Sequence, residues 1–175
     1  EFLYDLLGAT QEHQVKPKKF SQVEIDEFIL AHTNAPEFEK LKNDKFMEAL
    51  RDRMVKIDVP YLLRWSDEIK VLEHDYGPGK IKQHLMPHTL EIVALFSVLT
   101  RLRRADDEKL DLRTKAKLYD GKTIPNWTED SVKELKDKYS DEGIQGGLSA
   151  RYIQDKLSNC LARNTEYVNA FIVLN

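Results

Sequence analysis

The first third of the chain mixes strand and helix patterns. Residues 28–31 form a short apolar run ahead of polar residues, and residues 55–59 alternate apolar with charged positions until Pro60. Both patterns predict short strands, the first of them buried. Between them, residues 37–54 carry apolar residues at helical spacing, with a predicted break at Asn43-Asp44. This part of the chain therefore predicts a small α/β layer.

From Ser66 onward the pattern is almost wholly helical. Candidate N-caps occur at Ser66, Thr128 and Ser149, and glycines after residue 76 predict the end of the first helix. No charged residue lies between Ile92 and Thr100, which predicts a central bundle helix with little polar face. The predicted fold is mostly α. A small α/β part comprises residues 1–60 and a helical part comprises residues 61–175, with a boundary near Pro60.

Composition narrows the class of protein. Hydrophobic residues make up 41% of the 175 positions and charged residues 33%, which is typical of a globular domain. The net charge of −3 argues against a nucleic-acid surface, which needs a strongly basic face. The single cysteine, Cys160, cannot form an internal disulfide, and no apolar run reaches about 18 residues. We therefore expect a cytoplasmic protein without a membrane or nucleic-acid partner.

Arg151 is the candidate with the clearest chemistry. It lies two residues after the predicted cap Ser149, and three glycines precede that helix. A helix N-terminus with an arginine and a flexible approach suits a phosphate group. Equally, Arg151 could pair with Asp155 one turn later. The residues alone leave these alternatives open.

Other candidates carry weaker signals. Asn34, at the end of the first predicted strand, could orient a water or phosphate oxygen, or form a turn. Arg51 and Arg53 lie just before the second predicted strand, and alone they do not indicate a binding or catalytic site. Arg101 is interpreted as a basic residue at the C-terminal pole of a helix. His84 and His88 are separated by Pro87, which argues against a helical metal pair, so no metal site is assigned.

Six blocks of sequence nevertheless resemble one known family in consecutive order. They are LGATQEHQVKPKKFSQ at 7–22, ILAHTN at 29–34, ALRDRMVKIDVPYLLRWSDEIK at 49–70, PHTLEIVALFSVLTRL at 87–102, KLYDG at 117–121 and GGLSARYIQDKLSN at 146–159. Together they look like PrkA-type serine protein kinases over nearly the whole chain. That family combines an AAA+ ATPase module with a kinase-like C-terminal region.

The resemblance implies roles for four residues. Asn34 stands at the sensor 1 position, Arg53 at the arginine finger, with Arg51 as a weaker candidate, and Arg151 at sensor 2. Residues 1–60 would then be the C-terminal remnant of the AAA+ core, and residues 61–175 the helical lid bundle. The parent protein would use ATP and Mg²⁺, act as a homo-oligomer and phosphorylate a protein substrate that the sequence does not identify.

The chain lacks two motifs of the family pattern. It contains no GxxxxGK[ST] phosphate loop and no acidic Walker B strand before Asn34. We expect both before Glu1 and the kinase-like region after Asn175, so the missing AAA+ core and kinase part would be the partners of this piece. The isolated fragment would bind no cofactor and be inactive. An alternative is a helical protein-interaction module without a nucleotide role.

Overall fold

A computed structural model describes residues 8–17, 19, 21–107, 110–144, 146–163 and 166–175. Contacts within the chain divide it into two compact units, Glu1–Ile57 and Asp58–Asn175. Helices predominate in the described residues, as predicted. No described helix has both the length and the apolar character needed to cross a membrane.

The first unit contains a short hairpin and short helices. Strand β1 (Gln14–Val15) pairs antiparallel with β2 (Val23–Glu24). Helix α1 (Ala35–Asn43) follows, then a 3₁₀ turn (Lys45–Met47) and helix α2 (Glu48–Arg51). The predicted break is confirmed, since α1 ends at Asn43 and Asp44 is its C-cap.

The two strands predicted in this part of the chain are not formed. Residues 25–34 and 54–64 belong to no helix or strand, and Phe28 and Val55 are 86% and 88% exposed. A strand needs a neighbouring strand, and the ladders found among the described residues include neither run. The small sheet of the first unit is therefore the hairpin of β1 and β2, and not a layer built from the two predicted strands.

The second unit is a helical bundle. Its helices are α3 (Trp65–Tyr76), α4 (Thr89–Arg101), α5 (Leu112–Tyr119), α6 (Glu129–Lys138), α7 (Ala150–Ala162) and α8 (Ala170–Leu174). Strand β3 (His84–Leu85) pairs in parallel with β4 (Tyr167–Val168). This pairing joins the segment before α4 to the segment before α8. This unit has the helical character that the sequence predicts.

Side-chain caps explain where several of these helices begin. The predicted caps Thr128 and Ser149 accept the backbone N–H of Ser131 and Tyr152. The predicted cap Ser66 is wrong, because α3 already begins at Trp65. Instead, the Ser66 N–H donates to Oδ1 of Asp120 at 2.7 Å, so a residue at the end of α5 caps α3.

Helix α4 lies at the centre of the unit but is not buried on every side. One core cluster joins Val93 and Ala94 to apolar residues of α3, α7 and α8, and a second joins Val98 to α5. Ile92 and Phe96, however, are 47% and 42% exposed. The predicted central position of this helix is confirmed, but the neighbouring helices cover only part of its apolar surface.

Candidate functional site

The segment that leads into α7 requires glycine. Gly143, Gly146 and Gly147 have φ angles of 77°, 90° and 83°, in the left-handed region that favours glycine. A Cβ on Gly147 would also lie 2.6 Å from Cγ and 2.8 Å from Cα of Arg101. The segment therefore lies directly against the last turn of α4.

Arg101, the last residue of α4, turns its side chain into the interior. Nη1 and Nη2 each donate to a different oxygen of Glu68 at 2.8 Å, and both side chains are fully buried. Nη2 also donates to Oγ of Ser97 at 2.7 Å, and Nη1 to the carbonyl of Leu62 at 2.8 Å. Nε donates to the carbonyl of Leu148 at 2.8 Å. All three guanidinium nitrogens are thus occupied.

These contacts fix the start of α7. Leu148, which directly precedes the cap Ser149, donates its N–H to Oγ1 of Thr100 at 3.0 Å and gives its carbonyl to Arg101. Both backbone polar groups of Leu148 are therefore held by consecutive residues of α4. The first turn of α7, with Arg151, starts from an anchored residue.

Arg151 itself is exposed in that first turn. Among the described residues it makes no ion pair or hydrogen bond, so the alternative pairing with Asp155 is not formed. A cation in the first turn of a helix opposes the helix dipole. The side chain is a positive group next to backbone N–H groups, which is an arrangement that suits an anion.

A second buried polar cluster lies beside α5. Nζ of Lys115 donates to Oε1 of Glu142 at 2.5 Å, and the hydroxyl of Tyr119 donates to Oε2 at 2.9 Å. Glu142 also accepts the N–H of Arg103 at 2.6 Å. Burial, and then the hydrogen bond to Glu142, raise the pKa of Tyr119 well above its usual range.

The other residues predicted from sequence lie in the first unit. Asn34 does not end a strand; it is the N-cap of α1, and its Oδ1 accepts the N–H of Glu37 at 2.9 Å. Arg53 follows α2 in a turn, where its guanidinium donates to the Ala49 carbonyl and to Gln11. Arg51 donates to the Lys42 carbonyl at 2.6 Å. Neither arginine precedes a strand.

His84 and His88, the two histidines considered as a metal pair, occupy different local structures. His84 lies in β3, and His88 adopts a left-handed conformation just before α4, where it contacts Glu91 at 2.9 Å. Within the described ranges, no group of three or more His, Cys, Asp or Glu could hold a metal ion.

Sequence reasoning missed the role of Arg101. It does close a helix, as interpreted, but its buried partner Glu68 was not predicted. A usable signal was present, because Glu68 shares one helical face with Leu72 and Tyr76, which are buried at four-residue spacing. A charged residue on an apolar face predicts a buried partner of opposite charge.

Comparison with known proteins gives two family matches. A model described as the PrkA AAA domain matches residues 1–109, and one described as the PrkA serine protein kinase C-terminal domain matches residues 113–175. The second match corrects one expectation, since the C-terminal family domain begins inside this chain and not after Asn175. Arg151 therefore lies in the C-terminal domain match, whereas Asn34 and Arg53 lie in the AAA match.

Curated relatives agree with these matches. The chain is 36% identical to "ATP-dependent protease PrkA" of Bacillus subtilis (strain 168), over 99% of this chain and 28% of that protein. It is 35% identical to "Serine/threonine kinase YeaG" of Escherichia coli (strain K12), over 86% of this chain and 24% of that protein. It thus spans about a quarter of the length of these relatives. No solved structure gives a significant match. The chain belongs to the PrkA family.

Proposed function

We propose that this chain is the nucleotide-responsive part of an ATP-dependent PrkA-type serine protein kinase. In this role it contributes side chains that contact ATP phosphates, while the phosphate loop lies elsewhere in the parent protein. The isolated chain is then expected to turn over no ATP. The observation that carries the proposal is the exposed Arg151 at the anchored start of α7, which has no ion-pair or hydrogen-bond partner in the part of the chain that the structure describes.

The surroundings of Arg151 fit a phosphate group. Its charge opposes the helix dipole, so an anion at this end of α7 would relieve that repulsion and accept from the guanidinium. The carbonyl and N–H of Leu148 already bind α4, so the first turn needs little ordering when an anion binds. In the proposed role, Arg151 acts as sensor 2 on the ATP of its own subunit.

Arg53 and Asn34 complete the proposed set. Arg53 would act as an arginine finger on the ATP of a neighbouring subunit, with Arg51 as the weaker candidate. The present acceptors of Arg53 are exposed neutral groups, Ala49 and Gln11, which it can exchange for a phosphate at low cost. Asn34 uses its oxygen as a helix cap, and its amide N–H₂ can donate to a water or phosphate oxygen.

The proposal also explains the two exposed apolar runs. Residues 28–31 and 55–59 would pair as strands with the remainder of the AAA domain, which would hold ATP with Mg²⁺. Their high exposure in this chain, at Phe28 and Val55 for example, supports such pairing. Subunits of the parent would associate, because an arginine finger serves a neighbour's site.

The names of the relatives suggest two activities. One is named an ATP-dependent protease and the other a serine/threonine kinase. The description of the family model over residues 113–175 favours kinase activity for the parent of this chain. Incubation of the full-length protein with radiolabelled ATP and a protein mixture separates the two, since a kinase transfers the γ-phosphate to serine while a protease releases peptides.

Variants of the full-length protein test the role of Arg151. Arg151→Ala removes a charge-assisted hydrogen bond of about 1.5–3 kcal/mol, which corresponds to roughly 10- to 100-fold in kcat/KM for ATP. Arg163→Ala is the matched control, because Arg163 is an exposed arginine at the other end of the same helix. Equal activity of Arg151→Ala, Arg163→Ala and the unmodified protein would refute the proposal.

A further inference from the structure

We infer that Arg101 is a positioning residue for Arg151, acting through the backbone of Leu148. This inference rests on the proposed role of Arg151 in contacting ATP. Arg101 itself is buried and would not touch nucleotide. It would hold the start of α7 in one position, so that the guanidinium of Arg151 can bind a phosphate without the first turn of α7 having to become ordered.

The fork of Arg101 joins three separate parts of the second unit. It binds Glu68 in the first turn of α3, the carbonyl of Leu62 in the segment before α3, and the carbonyl of Leu148 before α7. Only a planar group with donors at several fixed angles can serve these partners together. A lysine ammonium at this position would keep the charge but lose most of this geometry.

The attachment to α7 is specific. Leu148 is only three residues from Arg151, and Ser149 between them caps the helix. Nε of Arg101 holds the carbonyl of Leu148, Oγ1 of Thr100 holds its N–H, and Gly147 lies against the backbone of Arg101. A shift of this segment would therefore move the first turn of α7 with it.

Three variants disturb this attachment in different ways. Arg101→Lys removes the fork, Thr100→Val removes the acceptor for the Leu148 N–H at an exposed position, and Gly147→Ala places a Cβ within 2.6 Å of Arg101. Gly121→Ala is the matched control for the last, because Gly121 has nearly the same φ, 82°, with nothing within 4 Å of its Cβ position. Thr100→Val and Gly147→Ala decide the question if Arg101→Lys does not fold.

The first measurement needs no nucleotide. Hydrogen exchange of the full-length protein should be faster in peptides covering residues 146–152 for the three variants. Gly121→Ala should leave those peptides unchanged, even if it lowers the unfolding temperature by a similar amount. Unchanged exchange in Thr100→Val and Gly147→Ala would show that the attachment does not hold the start of α7, and would overturn the inference.

The second measurement is a double-mutant cycle on kcat/KM for ATP. Gly147→Ala should reduce kcat/KM about tenfold, since a misplacement of ~1 Å can cost on the order of 100-fold. In an Arg151→Ala background the same change should have no further effect, because both variants remove the same interaction between Arg151 and ATP. A merely structural effect would instead add to that of Arg151→Ala.

The outcomes separate the inference from the proposed function. If Arg151→Ala lowers kcat/KM but the three variants do not, the inference is wrong and the proposed role of Arg151 stands. If the two losses add, Arg101 acts elsewhere and the inference is also wrong. If Arg151→Ala has no effect, the proposed function fails, and the inference fails with it.

Discussion

At the scale of single residues, buried charge in the second unit occurs in pairs whose members come from distant parts of the chain. Arg101 pairs with Glu68, and Lys115 with Glu142, with all four side chains fully buried. Such pairs stabilise little compared with apolar packing, but removing one partner leaves a costly buried charge. A rearrangement of the helices that separated either pair would therefore carry this cost.

The hydroxyl of Tyr119 gives the second pair a measurable pH dependence. In the folded chain its pKa is raised by burial and by Glu142, whereas an unfolded tyrosine ionises near about pH 10. The folded state therefore holds this proton more tightly. Its contribution to stability is complete below about pH 10 and is lost as the pH rises above that value.

We expect the free energy of unfolding to fall above about pH 10 more steeply in the unmodified chain than in Tyr119→Phe. The difference should approach about 1.4 kcal/mol per pH unit, the value for one proton. Urea titrations between about pH 9 and 11.5 measure it. Tyr152→Phe, at an exposed position, should retain the steep slope. A parallel pH dependence in Tyr119→Phe would contradict this account.

At the scale of elements, local signals predicted helix boundaries well. The caps Thr128 and Ser149 and the break at Asn43 depend on neighbours within four residues, which the sequence displays directly. The start of α3 was misplaced because its first turn is capped by Asp120, 54 residues away. A hydrogen bond between residues far apart in the chain has no periodic pattern in the sequence by which it could be predicted.

Strands and exposed faces were predicted poorly for the same reason. Apolar alternation in residues 55–59 shows that the run can pair, but whether a partner strand is present is a property of the whole fold. Arg151 was singled out from its cap and its glycines, which are local. The role proposed for Arg101 was missed, because only the fold brings Glu68 and Leu148 to it.

The two sides of α4 should respond differently to a buried charge. Val98 is fully buried against α5, so Val98→Asp should unfold the second unit, since an unpaired carboxylate in an apolar core costs several kcal/mol. Phe96 is 42% exposed, so Phe96→Asp should remain folded with a modest loss. Circular dichroism and thermal unfolding measure both. Unfolding by Phe96→Asp but not by Val98→Asp would show that α4 is rotated.

At the scale of the whole molecule, the second unit spans the junction between the two family matches. Arg103, from the AAA match, binds Glu142 at 2.6 Å and Asp141 at 2.6 Å, both from the C-terminal match. Asp106 likewise pairs with Lys138 at 2.8 Å. One core cluster also joins Leu72 and Val93 to Ile153 and Leu157. The family boundary is therefore not a boundary of folding.

Fragments of the chain should reflect this shared core. Residues 58–175 are expected to unfold cooperatively on their own, because they form one compact unit. Residues 58–111 should not fold, since they lack the apolar surface of α7 and α8. Circular dichroism with urea titration checks both fragments. A cooperative transition in residues 58–111 would contradict the shared core.

The proposed function requires that the start of α7 contacts ATP in the full-length protein. Hydrogen exchange with and without a non-hydrolysable ATP analogue tests it most directly. We predict slower exchange in peptides covering residues 146–152 when the analogue is bound, and loss of this protection in Arg151→Ala but not in Arg163→Ala. If the analogue binds and residues 146–152 exchange at the same rate as in the free protein, the claim is wrong.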